Sequence, residues 1–210
     1  YFRSQGMKAM YVGHPLIGKV PAESKSIPKT LLALLPGSRK QEIETLLPLM
    51  LNALHLQSPE EIAVAGLSQH GKEYYESIVQ GRAQIWMDDM YNLLQHSKAA
   101  LVASGTATLE TALLKVPQVV CYKTGWFSYF IAKNFITVPH ISLVNLILQR
   151  PLVPELIQGN CTEVQLKHSL MQAIENQLFI KEGYRELEKM LGQGDASQKA
   201  ALIIFEFLNK

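Results

Sequence analysis

Short apolar runs alternate with longer amphipathic stretches along most of the 210-residue chain. Leu31-Leu32-Ala33-Leu34-Leu35 is apolar at every position and stops at Pro36-Gly37, the pattern of a strand buried on both faces. From about Arg39, apolar residues fall at Ile43, Leu46, Leu47, Met50 and Leu54, which is one face of a helix. The rhythm then repeats. Ile62–Ala65, Gln84–Met87, Ala99–Val102 and Gln118–Cys121 read as strands. Residues 70–80, a segment opening at Asp88-Asp89, and Thr106–Lys115 read as helices; Leu109, Ala112, Leu113 and Val116 share one side of the last. An earlier run, Ala9-Met10-Tyr11-Val12, predicts a first strand, and Pro15 keeps His14 extended in the loop behind it. This alternation predicts a Rossmann-like α/β fold, a parallel sheet with helices on both faces.

After Tyr122 the pattern changes. Residues 126–137 predict an aromatic-rich helix. A short piece at His140–Leu143 follows, then helices near 144–149 and 154–158. Residues 163–208 predict two or three amphipathic helices, broken near Gly183 and near Gly192-Gln193-Gly194. The expected organisation is a linker with a first strand over 1–30, a ligand-binding Rossmann-like domain over 31–160, and C-terminal helices over 161–210. The aromatic stretch Trp126-Phe127-Ser128-Tyr129-Phe130-Ile131 fits core or domain-interface packing, and also contact with a membrane or an acyl chain. The run Trp126–Ile136 is too short to span a bilayer and carries Lys133 and Asn134.

Composition narrows the picture. Hydrophobic residues make up 48%, enough for a sizeable core, and the net charge is +2 with no long basic run. A nucleic-acid partner is therefore not expected. Cys121 and Cys161 lie far apart and form neither a CxxC nor a Cys/His cluster, so a reducing compartment is the simpler reading. No HExxH motif or Ser/His/Asp order stands out, and no metal is expected. Tyr1–Gly6 shows no initiator Met and no secretory pattern, and the chain reads as beginning within a longer protein.

In an open α/β sheet, ligands bind beyond the carboxyl ends of the strands. Three such ends carry suggestive residues. The first is Leu35-Pro36-Gly37-Ser38-Arg39, with Glu42 behind it. Gly37 permits close backbone approach, Ser38 can cap the helix, and Arg39 offers a fork suited to phosphate oxygens. An ordinary N-cap beside a solvated arginine would look the same. The second is Ser104-Gly105-Thr106-Ala107-Thr108-Leu109-Glu110, a small-residue turn opening a helix. Its free N–H groups and two or three hydroxyls suit a diphosphate. Glu110 can accept from ribose hydroxyls or simply stabilise the helix start. The third combines Ser142-Leu143-Val144-Asn145 with Pro154-Glu155-Leu156-Ile157-Gln158, which either closes the phosphate site or supplies two helix caps. His14 and His140 are open as acid/base candidates or as turn and packing residues.

Taken in order, these segments resemble the lipid-A-disaccharide synthases. The likeness covers Tyr11-Val12-Gly13-His14-Pro15-Leu16, Leu35–Arg39 with Glu42, Ala103–Glu110, Pro117–Lys123, Ile141–Leu146 and Pro154–Gln158. It implies the donor-binding half of a GT-B glycosyltransferase plus C-terminal helices, with 31–160 as the UDP-sugar-binding domain. The implied reaction is inverting. It joins UDP-2,3-diacylglucosamine to 2,3-diacylglucosamine 1-phosphate (lipid X), releasing lipid A disaccharide 1-phosphate and UDP. Donor contacts are expected from Gly37, Ser38, Arg39, Trp86, Met87, Ser104, Gly105, Thr106, Ala107, Glu110, Asn145 and Glu155. Arg39 and Asn145 are expected to act on the leaving diphosphate, with Trp86-Met87 lining the uracil pocket. The UDP-sugar is the donor substrate and no cofactor is implied. The base would lie in another half, leaving this chain alone inactive. The resemblance places the protein in Gram-negative bacteria, on the cytoplasmic face of the inner membrane as a peripheral protein. A homodimer through the C-terminal helices is compatible with it. Two rival readings stay open: a relative of UDP-N-acetylglucosamine 2-epimerase, and a nucleotide-sugar-binding module without chemistry.

Overall fold

The computed structural model describes residues 5–23, 26–123, 140–192, 194 and 196–209. The aromatic stretch at Trp126–Ile131 lies outside them. Six strands form one parallel sheet: β1 (Leu31–Leu35), β2 (Ile62–Gly66), β3 (Gln84–Met87), β4 (Ser97–Ala103), β5 (Gln118–Tyr122) and β6 (Glu155–Ile157). Their order across the sheet is β3-β2-β1-β4-β5-β6. The chain walks outward from β1 to β3, returns to the other side of β1, and walks outward again. The reversal leaves a crevice between the carboxyl ends of β1 and β4, the switch point of a Rossmann-type sheet.

Eight helices accompany the strands among the described residues: α1 (Lys40–Ala53), α2 (Lys72–Val79), α3 (Met90–Gln95), α4 (Thr106–Leu113), α5 (Leu143–Leu148), α6 (Glu163–Glu175), α7 (Gln177–Leu191) and α8 (Ala196–Leu208). The period-2 alternation of strand side chains divides the core. Leu32, Leu34, Val64 and Leu101 point to one face and pack with Ile43, Leu47 and Met50 of α1 and Leu166 and Leu170 of α6. Leu31, Ala33, Leu35, Ala100 and Val102 point to the other, against Leu93 and Leu94 of α3 and Leu114 and Val116 after α4. Every residue of β1 is buried because both faces are covered.

Three expectations change. Ala9–Val12 forms no strand, and Tyr11 donates its hydroxyl to the Leu191 carbonyl at 2.7 Å. Residues 154–158 are not a helix. Glu155–Ile157 pair with Val120–Tyr122 as β6, and a 3-10 turn Gln158–Asn160 follows. The chain does not break at Gly183, because Ile180, Tyr184, Leu187 and Leu191 carry one continuous buried stripe of α7. Leu152 packs so close to Gly183 that a Cβ there would overlap its side chain. The break lies earlier, at Asn176 between α6 and α7. Of the C-terminal helices, α6 and α7 contribute to the main core. By contrast α8 buries only Ala196 and exposes Leu202, Ile204, Phe205, Phe207 and Leu208. Among the described residues no helix is long and apolar enough to cross a membrane.

Candidate functional site

The crevice at the switch point is a cavity of about 560 Å³. Loops from the ends of β1, β2, β3 and β4 line it, and eight of the twelve expected site residues meet there: Gly37, Ser38, Arg39, Ser104, Gly105, Thr106, Ala107 and Glu110.

The β1 loop turns at Gly37, whose φ of +106° is a conformation that side chains rarely adopt. A Cβ at this position would stand 2.6 Å from Glu42 Oε2. That closeness is functional to the loop, because Glu42 reaches back over the helix start. Its Oε2 accepts from the Arg39 backbone N–H at 3.4 Å and its Oε1 from Arg39 Nη1 at 3.0 Å. Ser38 does not cap α1; Arg39 occupies the N-cap position. The Ser38 carbonyl instead accepts from Gln69 Nε2 at 3.1 Å and from His70 Nε2 at 2.9 Å, tying the β1 loop to the 3-10 turn after β2. The Arg39 side chain is 82% exposed, so its remaining donors face solvent at the cavity rim.

Opposite, α4 starts directly after Gly105 and no side chain caps it. The free N–H groups of its first turn therefore concentrate partial positive charge at the cavity. Nothing lies within 4 Å of the place a Gly105 Cβ would take, so this wall is open. The expected hydroxyls are mostly engaged. Thr108 is buried and donates to the Gly105 carbonyl at 2.8 Å, and Ser104 donates to the Ile141 carbonyl at 3.0 Å.

Glu110 has a partner that sequence reasoning missed. Tyr91, on α3, donates its hydroxyl to Glu110 Oε1 at 2.7 Å. Burial first, then the Glu110 hydrogen bond and charge, push the Tyr91 phenol up to about 12. That hydrogen bond holds one of the two carboxylate oxygens. Asp88 and Met90 also line the cavity. Asp88 accepts from the Ser68 N–H at 3.0 Å, and that hydrogen bond lowers its carboxyl below the usual value. A signal existed only for Asp88, in the acidic pair after β3.

Four expected residues fall outside the cavity. Trp86 packs beside Leu93 and Leu94 of α3, its ring tilted against His96 with centroids 5.5 Å apart and its Nε1 donating to Gln84 Oε1 at 3.2 Å. Met87 packs across β2, its sulfur 2.5 Å from where a Gly66 Cβ would be. Neither lines the cavity; Ala65, Gly66 and Leu67 do. Asn145 is 1% exposed and both ends of its amide are used. Its Nδ2 donates to the Val153 carbonyl at 2.9 Å and to Glu155 Oε1 at 2.8 Å, while Oδ1 accepts from Leu152 and Val153 N–H at 2.8 and 3.0 Å. Glu155 in turn accepts from the Ile141 and Ser142 N–H groups, both at 3.0 Å, and from the Ser142 hydroxyl at 2.7 Å. These two brace the loop that receives the Ser104 hydroxyl, and neither reaches the cavity. His14 is a turn residue whose Nδ1 accepts from the Leu16 N–H at 3.2 Å. His140 lies 4.0 Å from Glu155 Oε2, away from the cavity.

Solved structures share this architecture. A spinosyn rhamnosyltransferase complexed with thymidine diphosphate aligns with a TM-score of 0.57 and 15% identity over 87% of this chain and 48% of its own. MurG of Acinetobacter baumannii aligns with a TM-score of 0.53 and 15% identity over 95% and 56%. Fold and switch-point cavity together define a Rossmann-like domain of the type that forms one half of GT-B glycosyltransferases. Sequence comparison is more specific: the profile of the lipid-A-disaccharide synthetase family matches residues 1–204, and the chain belongs to that family. The lipid-A-disaccharide synthase of Syntrophus aciditrophicus (strain SB) is 32% identical over 238 residues, covering 100% of this chain and 60% of its own length. That of Prochlorococcus marinus (strain MIT 9313) is 35% identical over 98% of this chain and 59% of its own. The chain thus spans about 60% of the length of these relatives.

Proposed function

We propose that this chain is the donor-binding part of an inverting glycosyltransferase that makes the lipid A disaccharide. The donor would be UDP-2,3-diacylglucosamine and the acceptor lipid X. The observation that carries the reading is the convergence of Arg39 and the uncapped start of α4 on one 560 Å³ cavity at the switch point. As the glycosidic bond breaks, negative charge grows on the departing diphosphate. A guanidinium and a helix N-terminus facing that position stabilise it without reorganising. Glu110, held by Tyr91, would take the ribose hydroxyls. A nucleoside diphosphate bound to one fold neighbour supports the ligand class.

No metal or cofactor is assigned a role; the cationic groups above carry the leaving-group charge. The base that deprotonates the acceptor hydroxyl belongs to the remainder of a full-length protein, so the chain alone binds donor without turnover. The full-length enzyme would act on the cytoplasmic inner-membrane surface of Gram-negative bacteria. The exposed apolar face of α8 would be covered by a second copy of the protein. The test is UDP release from UDP-2,3-diacylglucosamine and lipid X by the full-length protein. Arg39→Ala should lower kcat/KM by about 100-fold, the scale of losing one transition-state donor. Unchanged turnover in that variant, or turnover by the isolated chain, contradicts the proposal.

A further inference from the structure

Next to the main cavity, the ends of β4 and β5 leave a smaller hollow of about 120 Å³. Arg39, Glu42, Ala103 and Ser104 line both, so the two adjoin. The smaller one adds Lys123, the residue directly after β5. Lys123 is partly buried, and its Nζ donates to the Cys161 carbonyl at 3.3 Å. An ammonium carries three N–H donors, so this anchor fixes the group and leaves donors for a ligand. On the other side, Arg39 has given one guanidinium N–H to Glu42 and keeps the rest. Glu42 is the carboxylate of the hollow, and both of its oxygens are turned to Arg39. Two cations against one carboxylate leave one net positive charge. The volume equals a few water molecules at roughly 30 Å³ each. A space of this size suits a tetrahedral oxyanion better than a nucleoside.

We propose that this hollow is a second phosphate subsite, held by Lys123 and Arg39, that takes a phosphate monoester while a nucleoside diphosphate occupies the main cavity. The ligand class is the phosphorylated acceptor rather than the donor. The assignment rests on the donor reading of the main cavity.

The experiment is calorimetric titration of inorganic phosphate into the chain saturated with UDP, for the wild type, Lys123→Met and Lys123→Arg. Phosphate should bind the UDP complex, and Lys123→Met should weaken it about tenfold or more, the worth of one hydrogen bond to a charged group. Lys123→Arg should retain it, and UDP affinity should be the same in all three. Displacement of UDP by phosphate overturns the proposal, because the hollow then belongs to the donor diphosphate. Phosphate binding indifferent to Lys123→Met overturns it too, as does parallel loss of UDP affinity. Failure of UDP to bind the wild type would instead sink the donor reading. In that event, the same titration without UDP decides the subsite: loss with Lys123→Met supports it and no change refutes it.

Discussion

At the scale of single residues, the site depends on backbone geometry as much as on charge. Gly37→Ala forces a side chain into a positive-φ position against Glu42, and should destabilise the chain by about 1–3 kcal/mol. A denaturant midpoint equal to the wild type would contradict this. Tyr91 makes a second prediction. Its folded pKa, near 12, lies above the ordinary 10.0, so the folded state holds the phenol proton to higher pH. The resulting stabilisation is complete below pH 10 and is lost as pH rises towards 12. Tyr74, Tyr75 and Tyr184 are raised by burial and act in the same direction. Melting temperature should therefore fall across this window, and less steeply in Tyr91→Phe; identical slopes would refute the coupling. Gly37, Arg39, Gly105 and Glu110 were legible because a strand end, a small residue and a helix start sit together in sequence. Tyr91 was not, since its contact to Glu110 spans 19 positions and joins two helices. Trp86 and Met87 sat at a correct strand end, but which face each takes depends on Gly66 and His96 of neighbouring segments.

At the scale of elements, two substitutions separate packing from ligand binding. Alanine normally stabilises a helix relative to glycine by roughly 0.5–1 kcal/mol. In α7 the sign should invert: Gly183→Ala meets Leu152 and should cost about 1–3 kcal/mol by overpacking. A raised unfolding midpoint would show that Leu152 moves freely aside. Asn145→Ala removes four hydrogen bonds that hold residues 152–155 to α5. It should destabilise the chain by roughly 2–4 kcal/mol, since buried partners are left unpaired. Under conditions where it stays folded, UDP affinity should hold; a large loss of UDP with little loss of stability would return Asn145 to the ligand. Long periodic elements such as β1 and α1 were readable from pattern alone. The three residues of β6 were not, because Pro154-Glu155-Leu156-Ile157 suits a helix start equally well and only pairing with β5 decides.

At the scale of the whole molecule, the strand alternation foretold a parallel sheet, yet the position of the cavity follows from strand order. The crossing between β3 and β4 puts the Gly37 and Gly105 loops, far apart in sequence, face to face. The same scale exposes what the chain leaves uncovered. Phe205 and Phe207 are 67% and 79% exposed on α8. Sedimentation should show concentration-dependent dimers that the double substitution Phe205→Glu, Phe207→Glu abolishes; a wild type monomeric at every concentration would contradict the dimer. The central claim is that the switch-point cavity binds a nucleoside diphosphate through Arg39 and Glu110, and calorimetric titration of UDP into the chain tests it most directly. The account predicts measurable binding, lost with Arg39→Ala and weakened with Glu110→Ala, with Arg39→Ala melting as the wild type does and Glu110→Ala still folded at the temperature of the titration. Clear UDP binding that neither substitution disturbs would place the nucleotide elsewhere and contradict the account.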